Sequence, residues 1–363
     1  MPADLPPGSR LLVQGKNSRG RYSNMRYTLL DFVSLGMLTN RTVVLAPLAH
    51  SPRQCAEPLE ELWDWPALNA LHRVLAPPPG GGGGVPRQRL TAHCGPGAAE
   101  GGGPGAAHLP TMLRNVPRQG AWIPHSTSLA PSWGQWKVAG GVPWAVEPVG
   151  ALVGEAHNAN SVRSRLLGRV AALANATCVG LSTAYWIFPT FHEQRMRLGE
   201  ALRPAPGPAA VIAGYLAAPP LAGSDRFVGV HMRLGDIGFA NATACRRNIS
   251  ELVQTVKQLQ AAHALTSVVL GTDAPATACA AELRAALPAT LMLASGVYHA
   301  DSCAEAQFVQ EVLARAHCFI GTANSSFSQA VAFIRGAQRA RNSSAWPPPC
   351  TIMMEAGQVK KLW

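Results

Sequence analysis

Residues 227–236 read FVGVHMRLGD, an apolar run with the length and β-branched content of a buried strand that ends in His231, Arg233 and Asp236. The residues downstream of this run decide the fold. NISELVQTVKQLQAAHA (248–264) places Ile249, Leu252, Val253, Val256 and Leu259 on one helical face, and SVVLGT (267–272) is a second apolar strand. APATACAAELRAAL then predicts a helix, TLMLA a strand, and SCAEAQFVQEVLARA a helix that opens with a capping box from Ser302 to Glu305. CFIG is a strand and SFSQAVAFIRGA a helix. Four strands alternating with helices predict a doubly wound α/β domain over 201–345, leaving 346–363 as a C-terminal tail.

The amino-terminal part carries the same signature. RLLVQG (10–15) reads as a strand, and the next segment sets Met25, Leu29, Phe32, Val33, Gly36 and Met37 on one helical face before TVVLAP (42–47) returns to strand. A first Rossmann-like domain is therefore expected over 1–200, with RSRLLGRVAALA (163–174) as a further helix. Residues 77–110 are Gly, Pro and Ala with little to bury and are expected to form a disordered insertion. Trp122, Trp133, Trp136 and Trp144 lie in Pro- and Gly-broken sequence and read as irregular core packing or as an aromatic acceptor platform. Between the domains, 195–225 reads as a basic helical segment followed by Pro-rich turns.

Composition narrows the function. The net charge of +11 comes from 26 Arg and only five Lys, scattered without a basic run, which argues against nucleic acid and for a positive field that attracts anionic ligands. No apolar stretch reaches the roughly 18 residues of a membrane span, so membrane association would need an anchor outside this chain. The eight cysteines include no C-x-x-C pair, against a zinc ribbon or a thioredoxin-like motif. An even cysteine count with six Asn-x-Ser/Thr sequons (Asn40, Asn175, Asn241, Asn248, Asn324 and Asn342) favours the lumen of the secretory pathway, endoplasmic reticulum or Golgi. The opening MPADLPPGSR has no apolar signal core, so this reading expects the targeting segment outside the chain.

Three loops come after apolar strands of the second domain, RLGDIGF after 232, TDAPA after 271 and TANSSFS after 321, and an open parallel sheet brings such loops to one edge. TANSSFS offers hydroxyls and the N–H groups of a helix start, which suit a phosphate oxygen. Arg233 can add a bidentate contact to a diphosphate, while Asp236 and Asp273 could hold a ribose, a base edge or Arg233 itself. The chain has seven Asp and no D-x-D, the carboxylate pair that usually holds a divalent cation on a sugar nucleotide, so no metal is expected in the reaction.

GRYSNMRYTLLDFVSLGMLTNRTVVLAP resembles the glycine-arginine-x-x-asparagine opening of the GDP-fucose protein O-fucosyltransferases. VGVHMRLGD resembles their H-x-R strand end, in the H-x-R-x-x-D form of α1,6-fucosyltransferases, and VVLGTD and FIGTANSSFSQAVAFIRG resemble their later donor motifs. The resemblance covers most of 10–47 and 200–340. It implies a GT-B architecture, two Rossmann-like domains facing across a cleft, and inverting, metal-independent transfer of fucose from GDP-fucose to a hydroxyl of a protein or glycan acceptor, with no cofactor. Residue by residue it implies Arg233 as the diphosphate clamp, with Gly20, Arg21, His231, Asp236, Asp273, Ser325, Ser326 and Phe327 as donor-binding residues. Asn24 would face the reacting centre. The string GRYSNM departs from the usual GRFGNQ-like form at Ser23 and Met25. Transfer from another GDP-sugar or to a polysaccharide, and a catalytically silent nucleotide- or glycan-binding relative, are the alternative readings.

Overall fold

The computed structural model describes residues 9–14, 22–45, 57, 59–75, 107–109, 145–146, 178–181, 192–222, 226–234, 242–300, 302–323, 325–341, 350–355 and 358–361. The chain divides into two compact units, Met1–Arg203 and Pro204–Trp363.

The first unit is built on a parallel six-stranded sheet of order β3-β2-β1-β6-β4-β5. Its strands are β1 (Leu11–Gln14), β2 (Thr42–Val44), β3 (Val74–Leu75), β4 (Ala107–Leu109), β5 (Ala145–Val146) and β6 (Cys178–Leu181). Helix α1 (Tyr22–Thr39) joins β1 to β2, as its apolar spacing predicts. It is buried on more than one face: Arg26, Thr28, Asp31 and Ser34 are as inaccessible as Leu29, Phe32 and Val33, whereas Met37 is only half-buried. Internal hydrogen bonds make this burial tolerable, with the Thr28 hydroxyl donating to the Asn24 carbonyl, that of Ser34 to Leu30, and the Arg26 guanidinium to Leu202. The other described helices of the unit are α2 (Leu59–Leu62), α3 (Trp65–Leu71, capped by the Asp64 carboxylate on the Ala67 N–H) and α4 (His192–Ala201). β4 lies inside the stretch expected to be structureless; the rest of 77–106, the helix expected over 163–174 and the four tryptophans fall outside the described residues.

The second unit opens with α5 (Pro206–Ala217), where the sequence suggested turns. Pro206 sits at the first helical position, where its missing N–H costs nothing. Beyond it lies a six-stranded sheet: β7 (Phe227–Met232), β8 (Ser267–Thr272), β9 (Thr290–Met292), β10 (Cys318–Thr322), β11 (Cys350–Glu355) and β12 (Gln358–Lys361), in the order β12-β11-β10-β7-β8-β9. The expected tail thus supplies two strands, β11 parallel to β10 and β12 antiparallel at the edge.

Period-two alternation sends side chains to two helical layers. Val228, Val230, Ile320 and Ile352 pack on α6 (Ala242–His263) and α7 (Ala278–Ala286). Phe227, Val269, Phe319 and Met353 pack on α5, α8 (Cys303–Ala314) and α9 (Ser326–Arg341). The capping box of α8 is only half formed. Ser302 Oγ accepts from the Glu305 N–H, but the Glu305 carboxylate is turned to the Ser295 N–H, 3.0 Å away.

Candidate functional site

In the second unit the chain runs from β7 to β8 on one side and comes back to β10 on the other. A parallel sheet with this order opens a crevice beyond the carboxyl ends of β7 and β10, where such sheets bind ligands. His231 lies near the end of β7 and Arg233 just beyond it, and Ser325–Phe327 follow the end of β10, so the structure brings these five predicted residues to one edge.

The two strands are paired only as far as Val230 and Ile320. Beyond that point the Thr322 side chain takes over, its hydroxyl donating to the His231 carbonyl at 3.3 Å and accepting from the Arg233 N–H at 3.4 Å. Asp273, after β8, accepts from the Leu234 N–H at 2.8 Å, so one oxygen of this predicted ligand contact pins the backbone beside Arg233.

His231 leans to the face covered by α9. Its Nδ1 lies 2.7 Å from Ser328 Oγ, which also accepts from the Thr322 N–H at 2.9 Å, and its ring stacks on Phe327 with centroids 4.4 Å apart. Gly321 permits this close approach, since a Cβ there would fall 2.7 Å from Ser328 Cβ. Burial, partly opposed by Asp273 and assisted by the positive charge of Arg233, lowers the His231 pKa from 6.5 to about 4. The imidazole is therefore neutral at pH 7.

Helix α9 starts at this crevice. Ser325 Oγ lies 3.5 Å from the Ser328 N–H it caps, while the N–H groups of Ser326 and Phe327 donate to nothing among the described residues. Two N–H groups without an acceptor among the described residues, at the positive end of a 16-residue helix and beyond the strand next to a half-buried arginine's, make an anion-binding arrangement.

In the first unit, Asn24 lies in the first turn of α1, and its Oδ1 is buried without a hydrogen-bond partner among the described residues. Gly20, Arg21 and Asp236 lie outside the described residues. Thr322 and Ser328 were not singled out from sequence. Their signal was a hydroxyl on each side of the selected SSF triplet, but lone hydroxyls near a helix start are ordinary caps.

The whole chain can be set beside solved structures. POFUT1 in complex with GDP-fucose matches over 98% of this chain and 100% of its own, with 16% identity and a TM-score of 0.57. POFUT1 in complex with GDP matches at 15% identity, again over 98% and 100%, with a TM-score of 0.57. NodZ fucosyltransferase from Bradyrhizobium matches over 97% and 98%, at 14% identity and a TM-score of 0.53.

The fold is the GT-B fold of fucosyltransferases.

Both units of a GT-B protein are Rossmann-like, which agrees with the two α/β units and their parallel-strand sheets. Neither a family sequence profile nor a curated protein matches the chain.

Proposed function

We propose that this protein is a fucosyltransferase that uses GDP-fucose and delivers the sugar to a hydroxyl of a protein or glycan acceptor, with inversion and without a metal. One observation carries the reading: Arg233 and the first N–H groups of α9, which meet no acceptor among the described residues, stand at the two strand ends that border the crevice of the second unit. A guanidinium and a helix start together suit a diphosphate better than a neutral ligand.

In the proposed reaction the acceptor oxygen attacks C1 of fucose from the face opposite GDP, and the bond from C1 to the β-phosphate oxygen breaks. Its electron pair stays on the diphosphate, and the hydroxyl proton of the acceptor passes to the departing GDP, directly or through water. Arg233 and the Ser326 and Phe327 N–H groups stabilise that growing charge more than they stabilise the bound donor, which is what lowers the barrier. In this reading Ser328, accepting from the Thr322 N–H, donates its hydroxyl hydrogen bond to His231 Nδ1, and the ring N–H at Nε2 is left to donate to the nucleotide. Asn24 Oδ1, buried and in want of a donor, would accept from the acceptor hydroxyl and orient it. Asp273, Ser325 and Phe327 hold the loops, and Gly20, Arg21 and Asp236 complete the proposed donor site.

The lumen of the secretory pathway is the proposed location. It is supported by Cys279 and Cys303, each of which stands in a disulfide, and by an exposed Asn40 within the first sequon. Arg233→Ala is expected to lower transfer from GDP-fucose by about 10²–10³-fold with the fold intact, read as fucosylated product and GDP release. A donor panel of GDP-sugars run beside it is expected to favour GDP-fucose. Unchanged turnover in the variant, or a preference for another GDP-sugar, would count against the reading.

A further inference from the structure

At the opposite end of the second sheet, three potential ligands come together, and a fourth side chain adjoins one of them. His263 is at the end of α6, His317 and Cys318 are where the chain enters β10, and Cys350 begins β11. Because β7, β10 and β11 run parallel, this is the far end from Arg233 and the start of α9. The four steps from Cys318 to Thr322 span roughly 13 Å.

The geometry is that of a ligand set. One donor atom each from His263, His317 and Cys318 lies within 4.8 Å of the other two. The two imidazole nitrogens are 3.4 Å apart, with the rings tilted at 55° rather than stacked. Metal–ligand bonds of about 2.0–2.3 Å give a tetrahedron with edges of roughly 3.3–3.8 Å, so the nitrogens already stand at one such edge. Cys318 and Cys350 are partners in the β10–β11 register, their side chains are in hydrogen-bonding contact, and neither is in a disulfide. Contact between two surface histidines would account for the first pair alone, without a buried thiol beside it.

We propose that His263, His317 and Cys318 bind zinc, with Cys350 able to supply a second thiolate. Two neutral imidazoles and thiolate sulfur are the ligand types that zinc prefers, and two thiolates would neutralise its charge. The negative end of α6 at His263 favours a cation there. The zinc would clamp α6, β10 and β11 together at the base of the unit, and it takes no part in the reaction. Its ligands are spread over 263, 317, 318 and 350, which is why a search for closely spaced cysteines finds nothing.

The test is the zinc content and zinc affinity of the full chain purified without chelator, by elemental analysis and competition with a chromogenic chelator. About one zinc per chain is expected, with affinity reduced about tenfold or more in His263→Ala and in His317→Ala. His263 is exposed, so its variant should fold as the parent does and decides the matter even if Cys318→Ser does not fold. Chelation is expected to lower the melting temperature of the parent and not that of His263→Ala. Absence of zinc, wild-type affinity in His263→Ala, or a Cys318–Cys350 disulfide in the purified chain would overturn the proposal.

Discussion

Burying an imidazole at position 231 would be costly without a partner, and the Ser328 hydroxyl 2.7 Å from Nδ1 offsets that cost. Ser328→Ala leaves both His231 Nδ1 and the Thr322 N–H without this partner. It is expected to destabilise the protein by about 1–3 kcal/mol in urea unfolding and to lower transfer from GDP-fucose as well. Stability unchanged in that variant would mean the contact is incidental. A second consequence concerns pH. The unfolded chain binds a proton at this histidine near 6.5, the folded chain only near 4, so stability is constant above about 6.5 and falls as pH drops through that window. The full loss is about 3 kcal/mol. His231→Gln should flatten the slope of unfolding free energy between pH 6.5 and 4.5, and an unaltered slope would show that other groups carry it.

At the scale of elements, the site depends on how closely α9 approaches β10. Gly321→Ala puts a methyl group against Ser328 and Phe319, and α9 must move away from His231. A displacement of this kind at a reacting centre can cost about 10²-fold in rate, so transfer should fall steeply while far-ultraviolet circular dichroism stays native; full activity would show that the helix start is not at the centre. The strands and helices that carry this geometry were legible because they alternate cleanly: FVGVHM, SVVLGT and CFIG each became strands, and Ile249, Leu252 and Val256 are buried as their spacing requires. Less legible was Arg335. It lies buried in α9, donating to the carbonyls of Ala314, Ala316, His317 and Cys350 and to Thr351 Oγ1. Nothing in a lone arginine on a helix announces that its partners are backbone groups at the far end of a sheet. Strands β11 and β12 were passed over for a related reason, since TIMMEAGQVKK has no downstream helix to frame it and its place is fixed by pairing with β10.

On the scale of the whole molecule, two α/β units and a GT-B fold arise from repeated strand and helix periods, and length alone left room for both. The proposed donor edge was legible because parallel strands present their carboxyl ends on one side, so Arg233 and Ser325 could be grouped from sequence. Which hydroxyls complete it could not be read, because Thr322 and Ser328 act through register and helix packing. The proposed acceptor contact is Asn24, whose buried oxygen accepts no hydrogen bond among the described residues. The central claim is that the crevice between β7 and β10 holds the diphosphate of GDP-fucose through Arg233. It is tested most directly by titration calorimetry of GDP-fucose into the wild-type protein and Arg233→Ala. Wild type should bind one donor per chain and the variant at least about 30-fold more weakly, whereas no binding to wild type, or equal binding to both, would contradict it.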